Sequence, residues 1–118
     1  MRTPVMLLLC STLAACAPSV DLPPTQPYVL RSMPTMDAAS KGITRAAAEE
    51  KLTGPIEMSD LRQTDHGPGR FVLCMRGLQS KDGRIGYYAV FFDNNDYKGS
   101  RMSVIMDNCE KQDYRPVP

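Results

Sequence analysis

The sequence has no tryptophan, a single histidine and no charge imbalance: 14 Lys and Arg stand against 13 Asp and Glu. Balanced charge supplies no long-range field to gather nucleic acid or an anionic membrane surface, so no nucleic-acid partner is expected. Nowhere does an apolar run approach the roughly 18 residues that a membrane-crossing helix needs. The one histidine, His66, falls in the turn cluster Asp65-His66-Gly67-Pro68-Gly69, where a solvated loop residue is expected. Nucleophilic catalysis is thereby left without its commonest base. Dithiol redox chemistry lacks its C-x-x-C pair. The acidic loop Asp93-Asn94-Asn95-Asp96 has neither the glycine nor the distal glutamate of an EF-hand, so its residues are expected to bend the chain. Glu49, Glu50, Asp93, Asp96 and Asp107 could serve a glycosidase, but nothing in their spacing sets two of them across a cleft. No catalytic residue, metal ligand or cofactor is assigned, and a non-enzyme is expected.

What is present starts at the N-terminus. Residues 1–16 carry Arg2, an apolar stretch over 5–9 and small residues ahead of Cys16, the three-part pattern of a secretory signal. Leu13-Ala14-Ala15-Cys16 resembles the lipobox of bacterial lipoproteins, where a branched apolar residue and two small ones precede an obligatory cysteine. The resemblance implies that residues 1–15 are a signal peptide cut off before Cys16. It also implies that the Cys16 thiol carries diacylglycerol and that the new amino group is acylated, with palmitate as the expected chain. Each acyl chain contributes about 0.8 kcal/mol per buried CH₂, so two or three chains hold a protein on a bilayer where one would not. An ordinary cleaved signal with a coincidental cysteine is the alternative. Ala17 stands where an aspartate would signal inner-membrane retention in many Gram-negative bacteria. The expected location is therefore the periplasmic face of the outer membrane, with the inner membrane as the other possibility.

Residues 16–40 include Pro18, Pro23, Pro24, Pro27 and Pro34. Proline at that density excludes helix and central strand, and favours a disordered, extended tether rising about 3.1 Å per residue. Pro27-Tyr28-Val29-Leu30 could instead dock on a partner as a short strand.

Residues 41–118 read as one small α+β domain: a short N-terminal helix, then an antiparallel meander of three or four strands. The stretch 36–52 is rich in alanine and straight-chain residues, with its clearest helical part at 45–52, capped by Thr44 and stopped by Gly54-Pro55. Strands are expected at 56–61, 70–76, 85–92 and 100–107, the last from the alternation of Met102, Val104 and Met106. Lys81-Asp82-Gly83 is a hairpin turn.

If Cys10 leaves with the signal and Cys16 carries lipid, Cys74 and Cys109 remain as a pair in an oxidising compartment. A disulfide between them closes a loop of about 35 residues and contributes roughly 3 to 4 kcal/mol by chain entropy. Metal binding, redox catalysis and a bond to another protein are the alternatives. Along 85–92, alternation sets Tyr87 and Phe91 on one face and Tyr88, Val90 and Phe92 on the other. One helix covers one face, which leaves Tyr88, Val90 and Phe92 as the expected partner-binding surface unless the tether or the C-terminal tail covers it.

As a whole the chain resembles small envelope lipoproteins of Gram-negative bacteria. That resemblance implies a membrane-anchored, non-enzymatic structural or protein-interaction role with a protein partner in the envelope. The alternative is a small periplasmic inhibitor, of a lysozyme or protease for example, or a ligand-binding module.

Overall fold

A computed structural model describes residues 32–118. The expected signal peptide, Cys16 and most of the expected tether lie outside the described residues.

Helix α1 spans Met36–Glu49 and is capped by Thr35, whose hydroxyl accepts the Ala38 N–H at 3.2 Å. Asp37 in the first turn complements the helix dipole, and the pairs Asp37–Lys41 and Glu49–Arg45 support its exposed side. The buried residues Ala39, Gly42, Ile43, Ala46 and Ala47 recur at the three-and-four spacing of one helical stripe. Both expected helix ends are corrected. Thr44 lies inside the helix and returns its hydroxyl to the Ser40 carbonyl, while the chain leaves the helix at Lys51 in the left-handed region (φ 55°). Starting at the earlier cap, the helix is long enough to carry the whole buried small-residue stripe, Ala39 to Ala47, onto the sheet. Residues 36–40, expected in the tether, are helical, and Pro34 is buried.

Six strands follow, in place of the three or four expected: β1 (Leu52–Met58), β2 (Arg62–Gln63), β3 (Phe71–Gln79), β4 (Ile85–Asp93), β5 (Asp96–Met102) and β6 (Arg115–Pro116). All pair antiparallel in the order β5-β4-β3-β1-β6, with β2 also against β3. Apolar β3 and β4 occupy the centre, in a register that sets Phe71 opposite Phe92 and Leu78 opposite Ile85. Gly54 and Pro55 do not stop the helix; they lie in β1, where the register shifts between Thr53 and Glu57. The last long strand is also corrected. It begins at Asp96, directly after the turn Asn94-Asn95, and ends at Met102.

Both faces of this sheet are covered. Leu73 and Met75 of β3, Tyr88, Val90 and Phe92 of β4, and Met58 of β1 pack beneath Ala39, Ile43 and Ala46 of α1. Gly42 makes that approach possible, since a Cβ there would fall 2.4 Å from the Phe92 ring. The opposite face, with Val72, Cys74, Ala89 and Phe91, is closed by Cys109 and Tyr114 of the C-terminal segment. The expectation of an open surface at Tyr88, Val90 and Phe92 is thus overturned: these side chains are 4%, 0% and 0% exposed. Alternation shows which side chains share a face, and does not say which face the helix takes.

The start of the described chain is pinned to the turn between β4 and β5. The Ser32 and Thr35 N–H groups donate to the side-chain oxygens of Asn94 and Asn95 at 2.8 and 2.9 Å. The acidic turn therefore bends the chain, as expected, and also clasps the segment that leads into α1.

Candidate functional site

The chemistry-bearing residues gather where the chain leaves β5. After Met102 the backbone turns through two single-turn 3-10 segments, Ile105–Asp107 and Cys109–Lys111, joined at Asn108 in the left-handed region (φ 55°). Cys109 is then bonded to Cys74 of the central strand β3, with Cα atoms 5.3 Å apart and both residues fully buried. The disulfide expected from the cysteine count is the one the fold contains.

Asp107, two residues before Cys109, is the second lock. Its carboxylate is buried and accepts from Arg101 Nε at 3.1 Å and Arg101 Nη2 at 2.8 Å, a two-pronged contact. It also accepts the Val104 N–H at 3.1 Å, closing the turn. Burial opposes ionisation of this group. The Arg101 hydrogen bonds, the Val104 amide and the charges of Arg101 and Arg62 outweigh burial and hold the carboxyl below the usual aspartate range. Arg62 adds a third lock, its Nη2 donating to the Asp107 carbonyl at 2.6 Å beside Cys74 Sγ at 3.3 Å. Arg101 also lies over the Phe91 ring, 4.9 Å from its centre, and donates to the His66 carbonyl.

Tyr114 secures the tail beyond the disulfide. Its hydroxyl donates to the Cys109 carbonyl at 2.6 Å, its ring meets Tyr87 edge-on at 5.9 Å, and the Arg76 guanidinium covers it at 4.5 Å. Burial, reinforced by Tyr87, pushes the Tyr114 hydroxyl up to about 12 against the opposing charge of Arg76. Arg76 in turn is paired with Glu57 at 2.6 Å.

These locks hold an unusual surface in place. Met102, Val104, Ile105 and Met106 are 62%, 44%, 98% and 62% exposed, four large apolar side chains within five positions. The alternation expected to form a strand here instead forms a knob, because the Asp107 carboxylate captures the Val104 amide and turns the chain. A recess of about 250 Å³ lies beside it, between Ser103, Val104 and Ile105 on one side and Asn108, Cys109, Glu110 and Lys111 on the other.

No family model, curated protein or solved structure matches this chain.

The other residues weighed for chemistry are dispersed. His66 pairs with Asp65 at 2.9 Å on an exposed loop. Glu49 accepts from Tyr97 and Glu50 from Ser100, which clips the end of α1 to β5. Asp93 accepts the Arg70 N–H at 2.9 Å. Among the described residues no three His, Cys, Asp or Glu side chains group to hold a metal ion, and no helix is long and apolar enough to cross a membrane. Sequence reasoning missed the knob and its buried aspartate; the one signal available was that Ile105 breaks the alternation of Met102, Val104 and Met106.

Proposed function

We propose that the chain is a lipid-anchored protein of the bacterial cell envelope whose folded domain makes protein contacts through the Met102–Met106 knob. The observation that carries the compartment is the buried Cys74–Cys109 disulfide, a bond that forms and persists in oxidising surroundings such as the periplasm. It agrees with the secretory pattern of residues 1–15 and with Cys16 as the acylated residue. Ala17 favours the outer membrane. The contact role rests on the knob: its backbone is already fixed by the Asp107 and Cys109 contacts, so binding through the exposed side chains orders rotamers without also having to order the main chain.

Metabolic labelling with palmitate tests the anchor. The expected result is label in the full chain, loss of label in Cys16→Ser, and recovery of the labelled protein with the outer-membrane fraction. An unlabelled native chain sinks the proposal.

A further inference from the structure

We infer that the knob's partner is a second copy of this chain, joined through a two-fold contact. The inference rests on the reading of the knob as a protein-contact surface and names its occupant. A two-fold interface uses the same patch on both molecules, so the patch must carry both halves of every contact: a protrusion with a recess, and a cation with an anion. This patch has all four. Ile105, 98% exposed, is the protrusion. The recess of about 250 Å³ lies directly beside it, and buried voids of about 150 Å³ already admit benzene. Glu110 and Lys111 are adjacent and exposed on the rim of that recess. Turned about a two-fold axis, Ile105 of each copy enters the recess of the other, and each Glu110 meets a Lys111.

A bilayer fits the knob less well. Apolar loops that seat in anionic membranes are supported by surrounding basic residues. Here Arg101 is committed to Asp107, and Lys111 is offset by Glu110. The chain also reaches the domain at Ser32, clasped by the Asn94-Asn95 turn that opens β5, whereas the knob follows the other end of that strand. An anchor on the N-terminal side thus leaves the knob at the far end of the domain. Four side chains fall short of the roughly 800 Å² per partner in a standard interface, so the pairing is weak and depends on concentration, which tethering in one membrane raises.

The test uses the full chain in intact cells, expressed as two differently tagged copies with the photoreactive residue p-benzoylphenylalanine in place of Met106. The expected product is a crosslinked species bearing both tags. Ile105→Asp reduces it at least tenfold, with the disulfide still present by mass. Glu110→Lys alone also reduces it, and adding Lys111→Glu to that chain restores it. An adduct with a different protein overturns the self-pairing while leaving the contact reading standing. Adducts with lipid only, or none at all, overturn both. A two-tag adduct indifferent to Ile105→Asp and to charge reversal overturns the proposed geometry. The palmitate label reads the anchor separately, so its failure is not confused with any of these.

Discussion

The two faces of the sheet are closed by different physics. On the helix side, eleven buried residues form a continuous apolar cluster that includes Phe71, Leu73, Tyr88, Val90 and Phe92 under the small-residue stripe of α1. On the other side, among the described residues, Val72, Cys74, Ala89, Phe91 and Cys109 are buried together, and the cover is a segment with little regular structure. The first face is held by area and close packing, which a helix supplies without any single indispensable bond. The second is held by a disulfide, an ion pair whose carboxylate is buried, and a tyrosine hydroxyl on a carbonyl. A segment fixed by specific bonds need not bury its own apolar side chains, so Met102, Val104, Ile105 and Met106 remain outside.

The largest way to break this contrast is on the packed face. Phe92→Ala removes a fully buried ring beneath Gly42, and a Phe-to-Ala change in a core costs about 3 to 5 kcal/mol. The expected outcome is cooperative loss of the whole domain at lower denaturant, measured by circular dichroism. Replacing both Cys74 and Cys109 by Ala is expected to cost roughly 3 to 4 kcal/mol by chain entropy. Its character should differ: hydrogen exchange is expected to rise first in residues 103–118 while α1 and β4 stay protected. Equal exchange on both faces would erase the distinction.

A smaller effect is expected from the ion pair. Asp107→Asn keeps a group able to accept the Val104 amide but removes the charge facing Arg101, at a cost of about 1 to 3 kcal/mol for a buried charge-assisted bond. The same contact gives a pH signature. Because the folded state holds the Asp107 carboxyl below its ordinary value, its contribution is complete above about pH 4, where the unfolded carboxyl is also ionised. It is lost as pH falls through the lowered folded value. Acid titration should therefore loosen the C-terminal face before the helix face, read from the assigned ring resonances of Tyr87 and Tyr114 by NMR against helical ellipticity. Asp107→Asn should flatten that difference.

What the sequence makes legible follows the strength of its local signals. β3 and β4 are apolar runs joined by Lys81-Asp82-Gly83, and both emerge within a few residues of expectation. The pairing of Cys74 with Cys109 needs only a count of the cysteines that remain. Two-residue strands such as β2 and β6 carry no periodicity, so the larger sheet is invisible beforehand. Thr44 satisfies the local rule for a cap, whereas the helix starts at Thr35 and carries Gly42 against Phe92, a contact 50 residues apart in sequence that local signals do not reveal. The knob is hidden for a similar reason. Met102, Val104 and Met106 obey the rule for a strand, and a buried carboxylate at Asp107 overrides it from a position that sequence reads as surface.

The covalent loop between Cys74 and Cys109 also bears on how the protein meets proteases in its surroundings. The most exposed peptide segment of the apolar knob, at Ile105, lies inside that loop. A single cut there separates the backbone without freeing either piece, because the sulfur bridge still joins them. Cleavage beyond Lys111 removes only the short tail that carries Tyr114. Damage within the loop is in this way decoupled from loss of the fragment that bears it.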